Sequence, residues 1–130
     1  MGNTTRFFDA LDAEFHFTLD PCASVTNHKC DKYFTKDENG LLQDWSGETV
    51  FCNPPYGKDI RHWVEKCYLE SVKNKITVVM LIHARTDTRW FHDFVYHKAE
   101  IRFVKGRLKF GGTKNSAPFP SMVVIYRGNN

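Results

Sequence analysis

Residues 49–52, Thr-Val-Phe-Cys, are apolar and β-prone, and they run directly into Asn53-Pro54-Pro55. Proline has no backbone N–H and a fixed φ, so two in succession cannot continue a sheet ladder. A strand over 49–52 must therefore stop at Cys52, and the chain leaves it on a stiff path. So apolar a strand is a buried one, which requires other elements packed over it.

The following residues supply such elements. Ile60, Trp63, Val64, Cys67, Tyr68 and Val72 recur at helical spacing with charges opposite, which predicts a helix over 58–73. Residues 76–82, broken only by Thr77, read as a central strand. A second helix is expected over 86–96, with Asp87 near its start and Trp90, Phe91, Phe94 and Val95 apolar. Two strands follow, over 100–104 and 121–126, separated by a basic stretch containing Gly and Pro. Upstream, Phe7, Phe8, Leu11 and Phe15 mark a helix over 5–14. Residues 16–19 read as a short strand ended by Pro21, and 22–46 as a loop-rich region with room for one short helix. Strands alternating with helices indicate an α/β class with three layers. The sheet is expected to be mainly parallel, with an antiparallel edge strand and helices on both faces.

At 130 residues, 42% apolar and 15% aromatic, the chain has the size of one domain and enough apolar mass for a core. No apolar run reaches the roughly 18 residues of a membrane helix. The N-terminus lacks the layout of a signal peptide, so no membrane association is expected. Cys22, Cys30, Cys52 and Cys67 form no C-x-x-C pair, so reduced thiols in a cytosolic protein are expected and no metal site. Charge is unevenly distributed. Residues 1–50 carry 4 Lys/Arg against 9 Asp/Glu, residues 51–130 carry 14 against 6, and 98–114 is especially basic. That balance suits a polyanionic partner for the second half.

Ligands of open α/β sheets sit beyond the carboxyl ends of the strands. Asp20-Pro21, Asn53-Pro54-Pro55-Tyr56 and His83-Ala84-Arg85-Thr86 all fall at such ends and are expected to converge. In the second segment the Asn53 side-chain oxygen and the Pro54 carbonyl are two rigid acceptors, suited to an amino group with two N–H donors. Tyr56 offers a ring for a planar group. Accepting the hydrogen bonds of an exocyclic amine favours its pyramidal, nucleophilic form, and the gain comes from positioning and electrostatics. A rigid turn with a packed tyrosine is the structural alternative.

The sequence resembles the phage-type DNA N6-adenine methyltransferases, which use S-adenosylmethionine. The resemblance runs through residues 11–15, 18–24, 32–35, 40–45, 50–57, 84–92, 106–110 and 117–125. It implies a compact, Rossmann-like class I methyltransferase sheet and transfer of a methyl group to the N6 amine of a flipped adenine in DNA. By the same resemblance Asn53, Pro54, Pro55 and Tyr56 form the catalytic segment. Asp20, Pro21, Cys22 and Ala23 lie against the methionine part of the cofactor, and Asp44 and Trp45 grip its adenine. Arg85, Thr86, Asp87 and Arg89 meet DNA at the mouth, joined by Arg107, Lys109 and Phe110, the last as a second face for the base. A cytoplasmic protein of phage or prophage origin is implied, with no separate target-recognition domain and an open choice between monomer and homodimer.

On residue chemistry alone, Asp20 also serves as a turn acceptor, Trp45 and Phe110 as core rings, Asp87 as a helix cap and His83 as a structural residue. No G-x-G follows Asp20-Pro21-Cys22-Ala23, where glycine would allow close approach to a ligand. That absence favours an alternative reading, a catalytically degenerate DNA-binding or phage regulatory protein. A further alternative keeps the chemistry but directs it to cytosine N4 or a protein glutamine amide.

Overall fold

The structure, a computed structural model, describes residues 4–108 and 119–128. Its elements run α1 (Thr4–Phe15), β1 (Leu19–Ala23), β2 (Lys32–Thr35), a 3-10 turn (Gly40–Leu42), β3 (Val50–Cys52), α2 (Ile60–Asn74), β4 (Val78–His83), α3 (Arg89–Phe94), β5 (Glu100–Phe103) and β6 (Ser121–Tyr126). They form one mixed six-stranded sheet in the order β2-β1-β3-β4-β6-β5. The chain is therefore α/β, as expected. No described helix is long and apolar enough to cross a membrane.

β3 is buried at every position and lies parallel to β4, with Val50, Phe51 and Cys52 opposite Val78, Val79 and Met80. The period-two alternation of strands then divides the core into two faces. Val78, Met80 and Ile82 of β4 and Met122, Val124 and Tyr126 of β6 pack with Trp63, Val64 and Cys67 of α2 and with Trp90 and Phe91 of α3. Val79, Leu81, Val123 and Ile125 point the other way and pack with Phe8 and Leu11 of α1. Phe8 meets Phe51 edge-on at 4.9 Å between ring centres, a favoured aromatic geometry. Helices thus cover both faces.

Four expectations need correction. The first strand is not 16–19 ended by Pro21. It is Leu19–Ala23 and passes through the proline, because its register against β2 shifts between Asp20 and Ala23. The missing N–H falls in that irregularity, where no ladder bond is lost. Second, the region 22–46 contains the edge strand β2, whose four residues are too short and too exposed to alternate visibly. Third, the antiparallel strand is not at the edge: β6 lies inside the sheet, antiparallel to both β4 and β5, and β5 forms the edge. Fourth, the helix expected over 86–96 is only Arg89–Phe94, and Thr88 rather than Asp87 caps it, its hydroxyl accepting from the Phe91 N–H at 3.3 Å.

Candidate active site

The carboxyl ends of β1 and β3 open into a cleft of about 600 Å³, within the range of small-molecule sites. Its walls are Pro21, Cys22 and Ala23 from β1 and Asn53 and Pro55 from the turn after β3. Thr35, Lys36, Asn39, Gly40 and Leu41 come from the β2 connection, and Asp59 and Trp63 from the start of α2. The expected convergence of the first two segments is therefore observed.

Asp20 shapes the β1 side from below. It is only 4% exposed, and its carboxylate accepts from the Cys22 N–H at 3.2 Å and the Lys29 N–H at 2.8 Å. Burial raises its pKa, opposed by those two N–H groups. Asp20 thus folds 22–29 back on the strand, and its neighbours Pro21, Cys22 and Ala23 face the cleft. Ser24 and Asn27 close the loop by exchanging backbone hydrogen bonds. No residue of 20–30 has a positive φ, so this loop does not require glycine for its conformation.

The glycine that allows close approach lies elsewhere. A Cβ on Gly40 would fall well inside contact distance of the Pro21 carbonyl oxygen and 3.0 Å from the Trp63 ring. Only hydrogen fits between these walls. Asn39 precedes it in the left-handed region and caps the 3-10 turn, its side chain accepting from the Leu41 N–H.

The Asp44-Trp45 expectation needs revision in its geometry. Trp45 is fully buried, so its ring offers no face to a ligand. Its indole N–H donates to the Gly40 carbonyl at 3.0 Å, its ring stacks on Trp63, and the Lys66 ammonium sits over it at 5.2 Å. Asp44 is exposed and accepts from Ser46, whose N–H and hydroxyl hold its carboxyl below the usual range. Trp63, read from its spacing as a core residue, is the tryptophan that reaches the cleft. Asp59 precedes α2 without making a side-chain cap, which leaves its carboxylate on the cleft wall. In the sequence Asp59 is an acid just before a helix, the same signal that a capping residue gives.

On the β3 side, Pro54 is buried and Asn53 half-buried. The Cys22 and Cys52 sulfurs lie 3.4 Å apart, bringing the two strand ends together. All four cysteines are free thiols; burial raises the pKa of each, that of Cys30 to about 12. Tyr56 is 43% exposed and turns away from the cleft lining to stack on His83, 3.7 Å between ring centres and 16° from parallel. The third expected segment, 83–86, does not line the cleft and touches the second through the Tyr56–His83 stack. Arg85, Thr86, Asp87 and Arg89 are all exposed on the connection from β4 into α3, with Arg85 and Asp87 paired at 3.9 Å. Arg107 is exposed beyond β5, and Lys109 and Phe110 lie outside the described residues.

Comparison with known proteins gives a consistent picture. The family model for DNA N-6-adenine-methyltransferase (Dam) matches residues 3–129. A DNA N-6-adenine-methyltransferase of Haemophilus phage HP1 is 32% identical over 116 residues, covering 85% of this chain and 66% of that protein. One of Escherichia phage T1 is 32% identical over 94 residues, covering 71% of this chain and 38% of that protein. The chain thus spans under two thirds of the length of these relatives. With the family model matched across almost all of its length, the chain belongs to the DNA N-6-adenine-methyltransferase (Dam) family.

Proposed function

We propose that this chain is a compact Rossmann-like methyltransferase that transfers a methyl group from S-adenosylmethionine to the N6 amine of an adenine in DNA. The observation that carries this reading is the position of Asn53-Pro54-Pro55-Tyr56: it leaves the buried end of β3 and puts Asn53 on the wall of a cleft shared with β1. Family membership and the family relatives' names support the same reaction.

The cleft residues fit the cofactor. Lys36 and Asp59 offer opposite charges for a zwitterionic end, Thr35 and Asn39 polar groups for hydroxyls, and Leu41 and Trp63 apolar surface for a flat ring. Trp45 acts indirectly, by holding the Gly40 carbonyl. When bound, S-adenosylmethionine supplies an electrophilic methyl group on a sulfonium sulfur.

The chain's own residues prepare the nucleophile. The Asn53 side-chain oxygen and the Pro54 carbonyl accept the two N–H bonds of the amine, drawing its lone pair out of conjugation with the ring. Pro54 and Pro55 keep both acceptors in place before the substrate arrives, so no reorganisation is needed during reaction. Tyr56 stacks on the base, which leaves the duplex because the amine is out of reach inside it. An amide is too weak a base to retain a proton, so the one released by the amine passes to water.

The test is transfer of labelled methyl from S-adenosylmethionine to DNA lacking adenine methylation, with the product nucleosides separated. Label in N6-methyladenine is expected. Asn53→Ala should reduce the rate by about 10²-fold or more, in line with loss of one preorganised hydrogen-bonding group, and leave cofactor binding near wild type. Label in cytosine or in protein would redirect the reading, and DNA binding without any transfer would overturn it.

A further inference from the structure

Tyr56 follows two prolines but precedes Gly57, whose φ of 140° lies in a region other residues rarely adopt. The backbone is stiff before the tyrosine and permissive after it. Nothing in the turn itself fixes the rotation of the aromatic ring. What holds the ring is on the neighbouring strand. The imidazole of His83, the last residue of β4, lies flat against it, and the His83 backbone N–H donates to the Tyr56 hydroxyl oxygen.

His83 is itself held from behind. Phe119 packs against the imidazole at 5.1 Å between ring centres, and the Arg85 guanidinium sits over the Phe119 ring at 4.9 Å. The Ala84 N–H donates to the Pro120 carbonyl at 2.7 Å, fixing the segment that carries Phe119 beside the end of β4. The order Tyr56, His83, Phe119, Arg85 is thus a continuous stack built from three separate stretches of chain. One face of Tyr56 is covered by His83, and its 43% exposure leaves the rest of the ring open.

We propose that His83 is a positioning residue for the target base: its flat ring backs Tyr56, so that Tyr56 presents one fixed, open face on which a planar base stacks. This rests on the methyltransferase reading above and extends it to a residue outside the catalytic segment. A platform already held in place costs less side-chain entropy when a base lands on it. Its loss therefore weakens stacking of the flipped base. Flatness is the property required, so phenylalanine at 83 should serve where leucine or glutamine cannot.

The experiment measures KM for DNA and kcat in the full chain, with thermal unfolding as a check on folding, for His83→Phe, His83→Leu, His83→Gln, Tyr56→Ala and Tyr56→Ala/His83→Leu. The expected result is a KM for DNA raised about 5- to 20-fold in His83→Leu, with kcat changed less than about 3-fold, since an interaction shared by the bound and transition states appears mainly in KM. His83→Phe should restore KM to within about 2-fold. The double variant should be no worse than Tyr56→Ala, because residues that act through one another are not additive. His83→Gln provides the same comparison should leucine fail to fold. Unchanged KM in both His83→Leu and His83→Gln would overturn the inference while leaving the reaction intact, as would full additivity with Tyr56→Ala. No methyl transfer by the wild-type chain would overturn the functional reading, and the inference with it.

Discussion

Gly40 shows how one side chain's absence sets the shape of the cleft. The expectation placed a needed glycine after β1, by analogy with nucleotide-binding turns, but that turn is closed by the Asp20 carboxylate and by Ser24 and Asn27 without any positive φ. The close approach occurs across the cleft, where Gly40 lies against Pro21 and Trp63. Gly40→Ala should therefore destabilise the fold by about 1–3 kcal/mol, the usual cost of overpacking a tight site. A thermal melt should show Tm lowered by several degrees, with cofactor affinity reduced in parallel. An unchanged Tm would mean that the β2 connection shifts freely and is not set by this contact. The place of Asn53 at the cleft was legible from the sequence, because two prolines end an apolar strand just beyond it. That of Trp45 was not, because sequence does not distinguish a tryptophan beneath a site from one lining it.

At the scale of elements, α1 is fastened at its end by charge as well as by Phe8 and Leu11. Arg102 on β5 grips the Glu14 carboxylate with both terminal nitrogens at 2.7 and 2.8 Å and reaches Glu100 with Nε at 2.9 Å, and Arg127 also binds Glu100 at 2.8 Å. One of the cations in the basic stretch is thus engaged within the fold. Hydrogen bonds from Arg102 hold the Glu14 carboxyl below its usual range, and those from Arg127 and Arg102 do the same for Glu100. A carboxylate with a depressed folded pKa adds stability above its unfolded value near 4.5 and loses it as the pH falls through that value and below. Arg102→Met should accordingly lower Tm at pH 7, and the gap to wild type should close below about pH 4. A gap that persisted at low pH would mean that Arg102 acts through packing on Phe15. Because these groups are exposed, added salt should narrow the gap at pH 7 as well.

For the whole molecule, the sheet brings to one end what the sequence spreads over seventy residues: the β1 and β3 ends at the cleft, and the connection after β4 beside Tyr56. Arg85 and Arg89 are exposed at that end, and the second half of the chain is net basic. DNA affinity should fall linearly in log salt, and Arg85→Ala/Arg89→Ala should reduce the slope by about 2 if each contacts a phosphate. A slope unchanged by the double substitution would put the DNA on another face. The parallel pairing of β3 with β4 follows from local pattern, since α2 separates them, as does the antiparallel pairing of β5 with β6, between which no described helix lies. The place of β6 inside the sheet does not follow from that pattern.

What the sequence determined by itself is whatever depends on neighbours along the chain: the end of β3 at the prolines, the apolar stripe of α2, the buried run of β4, and the stiff exit of the chain through 53–55. What only the tertiary structure decided depends on contacts between distant segments. Those are the passage of β1 through Pro21, the edge strand β2, the burial of Trp45 under Gly40 and the backing of Tyr56 by His83. The reason is physical. Proline geometry and side-chain period act over a few residues, whereas the burial of a ring or the face it presents is set by segments that meet only when the sheet has formed.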